Sequence, residues 1–166
     1  MTREDKAILD MIAFAEGTIG ISNNGYDVCV GHYIINGWTS DTNIVHGGTA
    51  WLNKSLDSTA AGRYQFTIGT WIGNSKINQP MTKENQDNKC IALVNSKIGK
   101  IDKTNLVTNR ALFNSMLSKL GSTWTSLPID GDRKSYHKNS KTQIHDKTPK
   151  SGDQIYSIFK EALGKY

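Results

Sequence analysis

The 166-residue sequence has only two cysteines, and no apolar run reaches the roughly 20 residues that a membrane span requires. Cys29 and Cys90 lie in different segments, with no C-x-x-C pair and no histidine-rich neighbourhood. That spacing supports neither a zinc site nor a disulfide scaffold, and two free thiols are expected, as in a reducing cytoplasm. No secretory signal is expected either, because Asp5, Asp10 and Glu16 interrupt the first apolar stretch. There is no internal repeat, and no metal or cofactor is expected. Hydrophobic residues make up 37% and charged residues 21%, the balance of an ordinary soluble domain rather than of a disordered or collagen-like chain. One domain spanning 1–166, with no stable membrane insertion, is the expectation, and a monomer is expected.

What is present begins with charge. The net charge of +5 favours acidic partners, and nucleic acid, anionic lipid and anionic wall polymer all qualify. Plain solubility accounts for it equally well. The excess concentrates in 133–150, where Arg133, Lys134, Lys138, Lys141, Lys147 and Lys150 face Asp146 alone. Tyr136, His137 and His145 lie among them, and no apolar period appears, so a basic loop is predicted. It reads as a solvated loop or as an attractor of wall polymer or lipid headgroups. No nucleic-acid-binding motif accompanies it, and no nucleic-acid partner is expected.

The apolar periodicity predicts mainly helix. Over 2–15, Ile8, Met11, Ile12 and Ala15 form a buried stripe, Thr2 caps the start, Asp5 sits in the first turn and Gly17 stops the helix. Further helices are expected near Trp71, after Pro80 with Thr82 as cap, after Thr108 with Leu112, Met116 and Leu120 on one face, and from Ser151. Ser151 with Gln154 makes a capping box, Ile155, Ile158, Phe159 and Ala162 form the stripe, and Gly164 closes it. Between them the period changes. Asn24-Gly25 signals a turn, and a short hairpin or meander broken at Gly31 is expected over 27–35. Residues 36–62 read as loop-rich and partly β, followed by a short strand over 63–66.

Two places could carry chemistry. Glu16 continues the apolar stripe of the first helix, four residues after Ile12, at the end where unpaired carbonyls oppose a negative charge. Burial and that field both favour the protonated carboxyl, the form a general acid needs. A solvent-facing glutamate at a frayed end is the plainer alternative. The second place is Ser58-Thr59-Ala60-Ala61-Gly62-Arg63-Tyr64-Gln65-Phe66, whose small residues allow close approach of a ligand to the backbone. Strand alternation predicts Arg63 and Gln65 on one face and Tyr64 and Phe66 on the other. Gln65 offers donor and acceptor together, which suits sugar hydroxyls and acetamido groups.

Ala15-Glu16-Gly17-Thr18, then Asn24-Gly25-Tyr26-Asp27-Val28 with Val30-Gly31, then 58–66, then Trp124-Thr125-Ser126-Leu127-Pro128, resemble the lambda endolysin family. Its members are lysozyme-like lytic transglycosylases of phages and prophages. The run from Ser58 to Gln65 is also similar to the Gly-x-x-Gln signature of bacterial lytic transglycosylases. The resemblance implies an α+β, lysozyme-like fold: a mainly helical lobe, a small β-containing lobe over about 20–66, and the active-site cleft between them. It implies cleavage of the β-1,4 bond between N-acetylmuramic acid and N-acetylglucosamine in peptidoglycan glycan strands. The muramic 6-hydroxyl attacks its own anomeric carbon, and Glu16 acts as acid and then base. A hydrolytic muramidase and a non-catalytic glycan-binding protein are the alternatives.

Substrate-binding candidates on the same footing are Tyr26, Ser58, Tyr64, Gln65, Trp124 and Tyr136. Asp27 is the candidate second carboxylate, with a structural role at a turn as its alternative. The resemblance also implies that the enzyme waits in the host cytoplasm, that a holin releases it, and that it then acts on peptidoglycan in the periplasm.

Overall fold

The computed structural model describes residues 1–54, 56–73, 79–128 and 150–166. The expected basic loop, apart from Lys150, and Tyr136 within it lie outside the described residues. The chain divides into two compact units, Met1–Gly17 with Ile91–Tyr166, and Thr18–Cys90.

The first unit is helical. Helix α1 (Arg3–Ala15) starts where predicted, because Thr2 and Asp5 close a reciprocal box: the Asp5 N–H donates to Thr2 Oγ1 at 3.1 Å, and the Thr2 N–H donates to Asp5 Oδ2 at 3.0 Å. Its apolar stripe is out of water, with Ile8, Met11 and Ile12 fully buried. Helix α4 (Arg110–Leu120) and helix α5 (Gly152–Lys165) complete the unit with the second half of α3 (Lys83–Ile98). Ser151 and Gln154 form the predicted capping box, and α5 packs on α1.

On α4 the buried face is Phe113, Met116, Leu117 and Leu120, while Leu112 is part-exposed. Met116 and Leu120 thus lie on the expected face, and Phe113 rather than Leu112 is its first buried residue. Phe113 takes the central place by stacking against Phe159 (5.2 Å between centroids) and Tyr156 (4.7 Å) of α5. On α5, Ile155, Phe159 and Ala162 are buried, Ile158 is part-exposed, and the helix runs one residue past Gly164.

The second unit holds little regular structure. Strands β1 (Val28–Cys29) and β2 (Tyr33–Ile34) pair antiparallel, Val28 with Ile34 and Cys29 with Tyr33. Gly31 (φ +82°) and His32 (φ +61°) make the reversal, the break predicted at Gly31. Helix α2 (Ile68–Ile72) begins three residues before Trp71, capped by Thr67, and α3 starts here with Thr82 accepting from the Asn85 N–H. The core is aromatic: Trp38 lies 4.5 Å from Trp51 and Phe66 lies 5.5 Å from Trp71, centroid to centroid. His46 sits among them, its Nε2 at 3.0 Å from the Phe66 carbonyl, and burial holds its pKa below the usual value. Cys29 and Cys90 are both buried, and no disulfide joins them.

The expected strand over 63–66 does not form. Ala61 and Phe66 exchange both backbone bonds, and 62–65 between them is a tight turn closed by the Gln65 N–H on the Gly62 carbonyl at 3.0 Å. Gly62 (φ +78°) and Gln65 (φ +49°) are left-handed, which a strand excludes. Strand alternation therefore fails: Arg63, Tyr64 and Phe66 are all buried. Among the described residues no helix is long and apolar enough to cross a membrane.

One ion pair ties the first unit together. Lys103 Nζ donates to Asp5 Oδ1 at 2.5 Å and to Asn95 Oδ1 at 2.6 Å. Burial alone would raise the Asp5 carboxyl, but the Lys103 ammonium and the Thr2 donors outweigh it and hold the group below its ordinary value. A depressed carboxylate contributes stability that is present above its unfolded pKa and is lost as pH falls through the folded one. Asp5→Asn is therefore expected to cost about 1–3 kcal/mol at neutral pH, with the gap to wild type closing in strong acid. Thermal unfolding followed by circular dichroism across pH checks both parts.

Candidate active site

In the first unit, Glu16 is the C-cap of α1. Its N–H still donates to the Ile12 carbonyl at 2.9 Å, and Gly17 then turns left-handed (φ +71°) and ends the helix. The side chain is part-buried. Burial pushes its carboxyl up to about 7, against the lowering influence of the Ser126 hydroxyl and the Lys150 ammonium. Ser126 Oγ donates to Glu16 Oε1 at 2.5 Å. Lys150 Nζ donates to the Ala15 carbonyl at 3.4 Å and sits over the Phe14 ring, so a cation occupies the negative end of the helix. Such a carboxyl keeps its proton near neutrality and can both give and retake it.

In the second unit the 62–65 turn is pinned from several sides. The Gly62 N–H donates to the Val28 carbonyl at 2.8 Å. Fully buried Gln86 of α3 accepts from the Arg63 N–H at 2.9 Å and donates to the Tyr26 and Met81 carbonyls. A Cβ on Gly62 would stand 2.3 Å from Gln86 Oε1, so glycine is required for space as well as for φ. Arg63 lies beneath the turn, donating to the Asn24 carbonyl, while its own carbonyl accepts from Thr18 Oγ1 at 2.6 Å. Asp87 Oδ1 accepts from both Tyr64 (2.6 Å) and Tyr26 (2.8 Å). Gln65 alone stays part-exposed. Its Nε2 donates to the Val28 and Gly62 carbonyls, and its Oε1 accepts no bond among the described residues.

Beside the hairpin the same unit opens a groove of about 430 Å³ lined by Cys29, Val30, Tyr33, Trp51, Leu52 and Asn53. Tyr33 is 66% exposed there. Ser58 is bridged to Asn53, and its hydroxyl accepts from the Ala60 N–H at 3.2 Å.

The endolysin family profile matches residues 6–156. The chain belongs to the endolysin family. It is a lysozyme-like protein of peptidoglycan degradation. The endolysin of Escherichia phage lambda is 26% identical to it over 170 residues, which cover 99% of this chain and 94% of that one. The solved structure of bacteriophage lambda lysozyme complexed with a chitohexasaccharide superposes with a TM-score of 0.66 at 23% identity. That superposition covers 98% of this chain and 95% of the other. A second structure of the lambda lysozyme gives 0.62. The fold class of this endolysin is thus lysozyme-like α+β, mostly helical with one small sheet.

The expected site residues of the endolysin divide between the units. Glu16 and Trp124 belong to the first, and Tyr26, Ser58, Tyr64 and Gln65 to the second. Not all keep a surface for substrate. Tyr64 is fully buried with its hydroxyl on Asp87, and Trp124 is 3% exposed. The Tyr26 ring is engaged by the Arg63 guanidinium at 5.1 Å and the Lys83 ammonium at 5.5 Å. Asp27 is buried, with Oδ2 accepting from Ser22 Oγ at 3.4 Å and Oδ1 lacking a hydrogen-bond partner among the described residues.

Sequence reasoning missed Ser126, Lys150, Gln86 and Asp87. Ser126 stood inside a quoted motif without a role, and Gln86 and Asp87 read as the polar face of a helix. Each has a partner 23 to 135 residues away, beyond any local signal.

A raised carboxyl also weakens the fold once it ionises. With a folded pKa near 7 against 4.5 unfolded, stability falls as pH rises between those values. Glu16→Gln, which keeps the acceptor for Ser126, is expected to be more stable than wild type by about 2–3 kcal/mol above neutral pH. The advantage is expected to vanish below the unfolded value. Melting temperatures of both proteins at acid and alkaline pH provide the check.

Proposed function

We propose that this endolysin cleaves the β-1,4 bond between N-acetylmuramic acid and N-acetylglucosamine as a lytic transglycosylase, with Glu16 as general acid and then base. The observation that carries the reading is the Glu16 carboxyl, raised to about 7 by burial, with a serine hydroxyl and a lysine as its partners among the described residues. Glu16 protonates the glycosidic oxygen as the bond from the muramic anomeric carbon breaks. The 6-hydroxyl of the same sugar then bonds to that carbon and returns its proton to Glu16, leaving a 1,6-anhydro end. An internal nucleophile needs no activated water, so one acid/base residue suffices, and its tethering removes much of the entropic barrier.

Gln65, with a free acceptor at a pinned turn, and Ser58, beside the groove, are the substrate contacts this reading keeps. A glycan occupant fits the groove, since the aromatic Tyr33 and Trp51 with the amide of Asn53 suit sugar rings, and the lambda lysozyme holds a chitohexasaccharide. Release from the host cytoplasm to the periplasmic wall by a holin, and action as a monomer, belong to the same proposal.

Hydrolysis of the same bond is the second reading. The buried Asp27, with Oδ1 unpartnered, favours it as a base for water. Mass spectrometry of digested peptidoglycan separates the two. Anhydro-muramic ends are expected, and reducing muramic ends alone would sink the transglycosylase. Because the free enzyme must hold the Glu16 proton, kcat/KM is expected to fall as pH rises through about 7. Glu16→Gln is expected to fold, bind glycan and lose about 10²-fold or more of lytic rate in a turbidity assay.

A further inference from the structure

Two side chains of the first unit reach the end of α1, and the mechanism so far uses neither. Lys150 supplies the charge that acts on Glu16, through an ammonium held on the Ala15 carbonyl. Ser126 does something more specific. Its hydroxyl has one proton, and that proton is committed to Glu16 Oε1 at 2.5 Å. The serine is held in place on both sides. The Trp124 N–H donates to the Leu120 carbonyl at 3.0 Å, and the Leu127 N–H donates to the Trp124 carbonyl at 2.9 Å. The Trp124 and Leu127 side chains, 3% and 0% exposed, anchor the two ends of this turn in the core.

A carboxyl has two oxygens, and a proton shuttle works best when the surroundings make them different. We propose that Ser126 is a positioning residue for the reaction: by donating to Oε1 it reserves Oε2 as the oxygen that gives and retakes the proton. The inference rests on the reading of Glu16 as acid and base. In the protonated form, Oε1 is the carbonyl oxygen that accepts from Ser126, and Oε2 carries the proton. As that proton passes to the glycosidic oxygen and the bonding pair leaves with it, negative charge spreads onto Oε1. A donor is already aimed there, so nothing has to reorganise. Oε2 then takes the proton of the 6-hydroxyl as that oxygen bonds to the anomeric carbon, and the starting form is restored.

The test is steady-state release of soluble fragments from purified peptidoglycan over a range of pH, with wild type, Ser126→Ala, Ser126→Thr and Glu16→Gln. Ser126→Ala is expected to fold, to keep KM within about twofold and to lose about tenfold or more in kcat. The alkaline limb of kcat/KM is expected to move up by about one pH unit, because the anion has lost its donor. Ser126→Thr, which keeps the hydroxyl, restores both. If the alanine variant does not fold, Ser126→Cys, similar in size and a weak donor, is read in the same way. A folded alanine or cysteine variant with the kcat and pH limb of wild type overturns the proposal. So does a loss confined to KM, or one that threonine fails to restore. Glu16→Gln keeps the two readings apart. Retained lysis there overturns the acid itself, whereas an inactive Glu16→Gln beside a wild-type Ser126→Ala overturns the role of Ser126 alone.

Discussion

A carboxyl group drawn out of water at the C-terminal end of a helix has two influences set against its ionisation, the loss of hydration and the field of the unpaired carbonyls. Glu16 is in that position, and the surrounding unit is arranged so that its proton stays exchangeable. A hydroxyl and an ammonium temper the burial without cancelling it. With stronger compensation the carboxyl would titrate like a surface glutamate and be an anion at neutral pH. With none, the proton would be held too tightly to leave. Helix α1 itself is fixed at its other end by the box between Thr2 and Asp5, which Lys103 reinforces. The end that carries the acid therefore begins from a secured start.

The second unit answers a different constraint, that of holding a loop-rich chain without a sheet to support it. Its two-residue strands cannot do this alone. Side chains on the first turns of α3 replace the missing ladder. Gln86 satisfies backbone groups of three separate segments, and Asp87 receives two tyrosine hydroxyls. Left-handed backbone at Gly62 and Gln65 is tolerated because these bonds over-determine the turn. The outcome is one amide, that of Gln65, presented with its donor already used and its acceptor open.

These two solutions differ in how far a sequence discloses them. Caps and stripes are local, so α1 and α5 were legible down to the capping residue, and the hairpin was legible from Asn24-Gly25 and Gly31. Glu16 was legible as an awkward acid, since helix geometry alone placed it on the buried side. The 63–66 segment was misread because Arg-Tyr-Gln-Phe alternates like a strand, and nothing local reveals that the residues at each end of the turn are left-handed. On α4 the face of Met116 and Leu120 was legible, but only the contact of Phe113 with α5 shows that Phe113 and not Leu112 begins it. Ser126 and Asp87 were invisible for the opposite reason: each is an ordinary polar residue until a distant partner is brought to it.

The raised pKa links function to stability. The burial that readies Glu16 as an acid is a cost to the folded state at any pH where the carboxyl is ionised. A chain selected for stability alone would place glutamine there, or turn the side chain to water. The lysine at the end of α1 is informative in this light. It eases the ionised form, the one that must accept a proton in the second half of a transglycosylase cycle, while burial eases the protonated form that begins it. A residue acting only as a general acid gains nothing from a neighbouring cation that favours losing its proton early. One that must serve in turn as acid and base is best placed where the two influences nearly balance, close to the pH at which it works.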